Sequence, residues 1–279
     1  MRKSWIIGLA VLAGTSYAAA QTDTSPPPTV TTQPASPPGA AVDTRPWIKA
    51  QALLKAVAAD VRSNGIRAVE AHGADMEQAL IDGKASFDRT QADGDTVFVL
   101  TDGMAEALVA MAMASKITGD GNHPRKVVAV PNPYPVMSLY LGSFYDDIGK
   151  YEDGIRVIDL GMRLRAESDL RLGDSLPLLI AERGAALNGL KRWDDSLANY
   201  DDGLKITGMS DENRARLFRG RGFALTELGR LDDAEEAYKN ALKLKPDDAR
   251  SQNELKYIAR LRAGGLAEPG TISLPPKSQ

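Results

Sequence analysis

Residues 220–241 read GRGFALTELGRLDDAEEAYKNA, and this stretch determines the fold class. Two earlier segments align with it without gaps. They are residues 140–161, YLGSFYDDIGKYEDGIRVIDLG, and residues 182–203, ERGAALNGLKRWDDSLANYDDG. The chain therefore contains an internal repeat whose copies begin at residues 140, 182 and 220. A repeat of this length indicates supersecondary units that stack on one another.

Each copy of the repeat has the same spacing of small residues around one bulky residue. A glycine comes first, a small residue follows twelve positions later, and a second small residue comes seven positions after that. The bulky residue lies between the last two. In order, the positions are Gly142, Gly154, Ile158 and Gly161; Gly184, Ser196, Tyr200 and Gly203; Gly222, Ala234, Tyr238 and Ala241. Because antiparallel helices approach closely where side chains are small, this spacing predicts tightly packed helix pairs.

These segments resemble tetratricopeptide repeats. The third copy has Gly222, Ala234, Tyr238, Ala241 and Pro246 at the signature positions of the family. The first two copies depart from the family pattern, since they have glycine or serine where alanine is usual and lack the closing proline. Their greater length implies longer turns and a locally irregular superhelix.

The resemblance implies a mainly α fold. We expect a solenoid of three antiparallel helix pairs over residues 135–246, a capping helix at 247–264, and a small helical or mixed α/β cap at 46–130. In this family the first helix of each pair lines a concave groove that binds a protein or peptide. The implied function is therefore that of a non-enzymatic interaction scaffold without a cofactor.

Side chains of the three first helices are the candidate partner-binding residues. They are Tyr140, Ser143, Glu182, Asn188, Arg216, Arg219 and Phe223. Arg216 and Arg219 are one helical turn apart, so both can contact one carboxylate, and an acidic or C-terminal peptide is the favoured ligand. The alternative is that these arginines only solubilise the surface.

One ligand class of the family is not expected here. The carboxylate-clamp subgroup, which binds chaperone tails, uses Lys and Asn on its first two groove helices. The corresponding residues of this chain are Leu139, Ser143, Ala181 and Ala185. Binding of chaperone tails is therefore not carried over.

The N-terminus has the organisation of a secretory signal peptide. A basic cap at residues 1–3 precedes about ten apolar residues, and three alanines at 18–20 precede Gln21. We expect cleavage after residue 20, a periplasmic or secreted protein, and no membrane span in the mature chain. An uncleaved anchor, the alternative, would need a run of roughly 20 apolar residues. The Pro- and Thr-rich linker at 21–45 and the tail at 265–279 are expected to be disordered.

Composition narrows the classes of chemistry. The chain has no cysteine, which excludes disulfides, thiol catalysis and cysteine metal sites. It has 34 basic and 37 acidic residues, and removal of residues 1–20 takes away Arg2 and Lys3, so the mature net charge is 32 − 37 = −5. Proteins that bind nucleic acid normally have a basic excess, so no such partner is expected. His72 and His123 are far apart in sequence, and no metal site is predicted.

No catalytic residue is predicted either. The sequence has no nucleophile elbow and no phosphate-binding loop. Its paired acids fall at helix ends or on exposed faces, where adjacency alone does not produce a shifted pKa. A dinucleotide fingerprint that starts at Gly220 is rejected, because Leu225 stands at its third glycine position.

Residues 46–130 carry no detectable repeat. Apolar spacing predicts one amphipathic helix that ends near Asn64 and a second from Ile66 to Gly83. The following stretches DTVFVL, TDGMAEALVAMAMASKITG and KVVAV predict strand, helix, strand, with an all-helical cap as the alternative. Methionines 104, 111 and 113 are expected to be core residues.

Two other functions stay open at this point. The runner-up is an enzyme or small-ligand receptor with its site in residues 46–130 and the repeats as an accessory module. A structural subunit without a groove ligand is the third.

Overall fold

A computed structural model describes residues 45–113, 126–165 and 175–265 of the 279-residue chain. The predicted signal peptide, nearly all of the predicted linker, His123 and the predicted tail beyond residue 265 lie outside the described residues. The described chain is mostly helical, and a small three-stranded sheet lies in its N-terminal region. The predicted fold class is confirmed.

The described residues of the N-terminal region form three helices, a short 3-10 segment and three strands. Their bounds are α1 Pro46–Asn64, the 3-10 segment Ile66–His72, α2 Gly73–Ser86, β1 Thr90–Asp93, β2 Thr96–Thr101, α3 Met104–Ala112 and β3 Lys126–Pro131. The strand order is β1-β2-β3, with β1 antiparallel and β3 parallel to β2. The predicted order strand, helix, strand is confirmed, and the all-helical alternative is wrong.

Three glycines in the described part of this region have positive φ, and two of them set turns. Gly65, at φ +75°, ends α1, and Gly94, at φ +55°, turns the chain from β1 into β2. A residue with a Cβ atom would be strained at either position. The apolar stripe that begins at Ile66 does not form one helix, because the chain is a 3-10 turn up to His72 before α2 begins.

The C-terminal part consists of three helix pairs and an end helix. Their bounds are α4 Pro133–Asp147, α5 Tyr151–Arg163, α6 Ser175–Gly189, α7 Trp193–Leu204, α8 Asp211–Glu227, α9 Leu231–Leu244 and α10 Ala249–Arg262. The first helices α4, α6 and α8 contact one another in succession, and each also contacts its own second helix. The first helices thus form an inner row, which is the layer that could present a groove.

The repeated glycines lie beneath the repeated bulky residues. A Cβ atom on Gly142 would lie 2.7 Å from Ile158, and one on Gly184 would lie 2.4 Å from Tyr200. The same relation holds in the third pair, at 2.9 Å from the ring of Tyr238. These distances are shorter than van der Waals contact, so only glycine fits. The spacing in the sequence therefore reports real helix contacts.

The departures from the family pattern also have a packing explanation. At Gly161 a Cβ atom would lie 2.4 Å from the Ser138 side chain, and at Gly203 it would lie 2.8 Å from Ile180. In both places a side chain of the first helix occupies the volume that alanine would need. The first two pairs are therefore packed more closely at these points than the usual residues would allow.

The N-terminal region shares its core with the first helix pair. Trp47 and Leu80 belong to one buried cluster with Tyr134, Met137 and Leu141 of α4. Gly83 of α2 contributes, because a Cβ atom there would lie 2.5 Å from the Tyr134 ring. The region thus packs directly on the start of the array.

The methionine prediction is wrong. Met104, Met111 and Met113 are 42%, 50% and 43% exposed. Helix α3 directs Glu106 and Ala110 toward the sheet instead, and the Glu106 carboxylate accepts a hydrogen bond from the Asp102 backbone N–H at 2.8 Å. The buried carboxylate fixes the rotation of α3, and this leaves the methionines on the outside.

Candidate functional site

The predicted site residues lie on the inner row, but most are less accessible than expected. Tyr140 and Ser143 are on α4, Glu182 and Asn188 are on α6, and Arg216, Arg219 and Phe223 are on α8. All except Arg216 are buried. The inner row is therefore a narrow, largely desolvated surface in which charged and polar side chains are held close to apolar ones.

Two of the predicted contacts are packing residues. Tyr140 belongs to the core that the N-terminal region shares with α4, and its side chain is 2% exposed. Phe223 packs edge-on against Trp193 of the preceding pair, with ring centroids 6.1 Å apart. Both side chains pack within the protein, and their assignment to the partner-binding surface stays a prediction.

Ser143 and Glu182 join the first two helices of the inner row. The Ser143 hydroxyl donates a hydrogen bond to Glu182 Oε1 at 2.5 Å. Burial raises the pKa of Glu182 to about 7, although the Ser143 hydrogen bond and the charge of Arg216 act in the opposite direction. Glu182 is thus a buried carboxyl group that changes protonation near neutral pH.

Asp146 is a second acid beside Glu182; the residue is half-buried, and its Oδ1 atom is buried. Burial, and to a smaller extent the neighbouring charge of Glu182, raises the pKa of Asp146 to about 9. Among the described residues, Asp146 Oδ1 has no hydrogen-bond partner. A Cβ atom on Gly154 would lie only 2.7 Å from Asp146 Oδ1. This close approach explains why glycine replaces the usual alanine there. The general prediction that paired acids lie at helix ends or on exposed faces did not indicate this burial.

Arg219 forms a buried ion pair within the protein. Its Nη1 donates to Asp248 Oδ2 at 2.9 Å, and both side chains are about nine-tenths buried. Asp248 caps α10 by accepting from the backbone N–H and the hydroxyl of Ser251. Burial alone would raise the pKa of Asp248, but the Ser251 hydrogen bond and the Arg219 charge bring it below the usual value. The Arg219 charge is thus already paired within the protein, and its contact with a partner stays a prediction.

Arg216 has a different environment. Its closest ion-pair partner among the described residues is Glu212, one turn earlier, at 3.8 Å. The side chain is 15% exposed, and its Nε has no hydrogen-bond partner in the described part. Burial lowers the pKa of Arg216, and the charges of Arg219 and Arg250 lower it further. Arg216 is thus a partly desolvated guanidinium with charged neighbours of both signs, Arg219 and Arg250 on one hand and Glu212 and Glu182 on the other.

Asn188 is the remaining polar residue of the predicted site. It is 8% exposed, and within the described residues its Oδ1 accepts no hydrogen bond. A buried amide oxygen without a donor costs free energy of about 1–3 kcal/mol. A ligand that brings an N–H group to this oxygen would therefore be favoured.

The polar residues of the N-terminal region are paired with one another and with the array. Asp102, at the end of β2, accepts from Arg165 Nε at 3.0 Å and from the Ser175 hydroxyl at 2.5 Å. The Asn132 amide donates to the Leu164 carbonyl at 2.7 Å. These contacts tie the region to the first two helix pairs.

A cleft of about 470 Å³ lies outside the inner row. It is bounded by α5 and α7 and floored by α6. Arg183 crosses it and donates to Asp159 at 2.7 Å and to Asn199 at 3.3 Å. The Arg183–Asp159 contact joins the first two helix pairs, whereas Arg192 pairs locally with Asp195 and Asp202 with Lys205.

Two further properties concern the described residues as a set. His72 pairs with Asp60 at 2.6 Å, and the described ranges contain no group of three or more His, Asp or Glu residues that could hold a metal ion. Within the same ranges, none of the helices has the length and apolar character needed to cross a membrane.

Comparison with known protein families identifies the third helix pair. The family profile of the tetratricopeptide repeat matches residues 215–248, which cover most of α8, all of α9 and the cap of α10. The third helix pair is a tetratricopeptide repeat. The matched residues include all five signature positions that the sequence indicated.

Several solved structures are similar to this chain. The first tetratricopeptide domain of human RPAP3 is 23% identical, with a TM-score of 0.40, and the match covers 47% of this chain and 94% of that one. The first such domain of Spaghetti (RPAP3), bound to the HSP90 peptide SRMEEVD, is also 23% identical, with a TM-score of 0.40 and coverage of 48% and 97%. MamA from Desulfovibrio magneticus RS-1 is 16% identical, with a TM-score of 0.43 and coverage of 77% and 86%.

Proposed function

We propose that this chain is an exported, non-enzymatic scaffold that binds a peptide segment of a partner protein along the inner row of first helices. The observation that carries the proposal is the state of Arg216, a largely buried guanidinium whose nearest acid is 3.8 Å away. The tetratricopeptide fold of residues 215–248 is typically a protein-interaction module rather than an enzyme. Export is proposed from the signal-peptide pattern of residues 1–20.

The electrostatics of Arg216 favour an anionic ligand group. Burial and two neighbouring arginines make its charged form less stable than in water. A carboxylate that forms two directed hydrogen bonds with the guanidinium would compensate for that loss, and such charge-assisted contacts contribute about 1.5–3 kcal/mol each. An acidic side chain or a C-terminal carboxylate of the partner is therefore the proposed group.

The remainder of the inner row is suited to a peptide backbone. Asn188 offers a buried amide oxygen without a donor, and Glu182 is a carboxyl group close to its point of protonation at neutral pH. Both can form hydrogen bonds with backbone N–H or C=O groups without introducing a fixed charge. The chemistry thus changes along the row, from neutral polar groups at α4 and α6 to positive charge at α8.

Affinity capture with matched variants tests this function. The mature chain and its Arg216→Gln variant would be immobilised and exposed to the envelope fraction, and retained proteins would be identified. Arg230→Gln is the matched control, because Arg230 is exposed and pairs with Asp233 at 2.6 Å away from the inner row. We expect a partner that is retained by the control and depleted at least about tenfold by Arg216→Gln, since one lost contact of this kind is worth about 1.4 kcal/mol or more.

Two results would count against the proposal. Equal retention by Arg216→Gln and the control would place the binding surface elsewhere. Intact-mass measurement tests export separately: a mature protein that begins at or near Gln21 is expected, and a protein that still carries residues 1–20 would contradict cleavage.

A further inference from the structure

Glu182 lies in the middle of the inner row. Its helix, α6, contacts α4 on one side and α8 on the other. The side chain is 5% exposed, and its Cγ atom would lie 3.7 Å from a Cβ atom added to Gly142. Glu182 therefore fills space that the repeat glycine of α4 leaves free. A change of charge on this carboxyl group acts on both neighbouring helices.

The contacts of Glu182 do not compensate a full negative charge. The Ser143 hydroxyl donates one hydrogen bond to Oε1 at 2.5 Å. Within the described residues, the carboxyl group forms no ion pair within 4 Å. A buried carboxylate that has one hydrogen bond from a neutral group is less stable than its protonated form. The geometry thus favours an uncharged Glu182, in agreement with the pKa that burial raises to about 7.

The other titratable groups that face Glu182 come from three neighbouring helices. Arg216 of α8 is the cation, and the charges of Arg216 and Glu182 stabilise each other. Asp146 of α4 and Tyr200 of α7 both have a pKa that is raised by burial and then by the charge of Glu182. Helix α5 also packs on α6, but its charged contact lies in the outer cleft described above. Arg216 is therefore the group whose availability to a ligand depends on Glu182.

We propose that the inner row binds its acidic ligand group together with a proton from the solvent, which Glu182 takes up. An ionised Glu182 would share the Arg216 guanidinium with the ligand carboxylate, and the two negative charges would repel each other. Uptake of the proton converts Glu182 into an uncharged carboxyl group and removes this competition. The inference rests on the proposed contact between Arg216 and an acidic group, and it adds that this contact is regulated by pH.

The direction of the pH effect follows from the linkage between the two binding events. A ligand anion near Glu182 raises the pKa of this residue further, so the affinity falls as the pH rises through about 7. If only the protonated form binds, the apparent affinity is proportional to the fraction of Glu182 that holds a proton. That fraction is about ten times larger at pH 6 than at pH 8. Asp146, whose pKa is about 9, keeps most of its proton over this interval.

Titration of the full chain with acetate, a simple carboxylate probe, tests the inference. The Arg216 Nε–Hε resonance is identified by its absence from Arg216→Gln, and its shift is followed by NMR at constant ionic strength. We expect acetate to bind at least about threefold more tightly at pH 6 than at pH 8, and at most about tenfold. Glu182→Gln keeps the size of the side chain and the acceptor for Ser143 but cannot ionise, so its acetate affinity should be equal at both pH values.

Glu236→Gln is the matched control, because Glu236 is exposed on the second helix of the third pair. It should show the same pH dependence as the native chain. Equal acetate affinity of the native chain at the two pH values would overturn the inference and leave the Arg216 contact intact. A pH dependence that persists in Glu182→Gln would also contradict it, since another group would then be the one that titrates.

Two further readouts separate this inference from the proposed function. A native chain in which acetate causes no shift of the Arg216 resonance at either pH would contradict the anion contact itself, and the inference with it. The second readout needs no substitution at Glu182 and applies if Glu182→Gln does not fold. Acetate should raise the pH midpoint at which the carboxyl-carbon resonance of Glu182 titrates in the native chain. An unchanged midpoint in the presence of bound acetate would mean that no proton is taken up.

Discussion

The ring of Tyr200, on the second helix of the second pair, packs on Gly220, on the first helix of the third pair. A Cβ atom on Gly220 would lie 2.2 Å from the ring, and one on Gly184 of the second pair would lie 2.4 Å from it. The Tyr200 hydroxyl also donates to the Ala181 carbonyl at 3.3 Å. One side chain therefore holds two successive first helices together, which explains a glycine that the repeat pattern alone does not require.

Gly220→Ala should disrupt this contact. The added methyl group would displace the Tyr200 ring and destabilise the array by about 1–3 kcal/mol, the usual cost of overpacking a core. Gly73→Ala is the control, because nothing lies within 4 Å of a Cβ atom there and its φ is −55°. Chemical denaturation measures both variants. If the unfolding midpoint of Gly220→Ala equals that of Gly73→Ala, the proposed contact between Tyr200 and Gly220 is wrong.

The contact between the two helices of the third repeat provides a second test of packing. Ala234 and Ala241 are both fully buried between α8 and α9. Ala234→Leu should cost about 1–3 kcal/mol, because the extra volume cannot be accommodated between helices that meet at a small residue. Lys239→Ala removes only an exposed ion pair with Glu235 and should leave the unfolding midpoint nearly unchanged. Similar midpoints for the two variants would show that the register of the repeat is wrong.

The repeat could be predicted from the sequence because the residues that define it are close together along the chain. Helix packing at Gly222 and Tyr238 depends on residues sixteen positions apart in one hairpin, so the spacing is visible in the chain itself. The succession strand, helix, strand in the N-terminal region was also predictable, since an apolar run such as residues 96–101 between turn residues favours a buried strand. The strand β1 was not predicted, because TQAD has little apolar character.

The site was harder to predict because it depends on contacts between distant residues. Arg219 and Asp248 are 29 positions apart and form their ion pair only after α10 has packed on α9. Asp146 becomes a buried acid because Gly154 leaves space for its carboxyl group. The exposure of Met104 follows from Glu106, whose burial no local pattern indicates. The burial of individual charged groups could therefore not be predicted from the sequence.

The buried acids predict how stability depends on pH. Burial raises the pKa of Asp146 to about 9 in the folded chain, against an ordinary value of 3.8. Between these two values the folded state holds a proton that the unfolded state does not, so stability falls as pH rises, by up to about 1.4 kcal/mol per pH unit. Glu182, with its pKa raised to about 7, adds a component of the same sign that ends near neutrality.

Asp146→Asn should remove most of this dependence. The amide has the size of the carboxyl group but no proton to lose, so the free energy of unfolding should change less between pH 5 and pH 9. The control is Asp202→Asn, because Asp202 forms an exposed ion pair with Lys205. Urea denaturation at a series of pH values measures the slope. An identical slope for Asp146→Asn and the native chain would show that Asp146 is not the protonated group.

Arg219 and Arg216 should respond to substitution in opposite ways, although they are one helical turn apart. Arg219→Ala leaves Asp248 buried without its partner and weakens the cap of α10, so it should cost on the order of 3 kcal/mol of stability. Arg216→Ala removes a guanidinium that burial and neighbouring charge already disfavour, so the melting temperature should stay the same or rise. Binding should show the reverse order once it is measured on folded protein, with Arg216→Ala causing the larger loss. Thermal melts of both variants beside the native chain decide the assignment, and equal destabilisation by the two would mean that Arg216 is also a structural residue rather than the ligand contact.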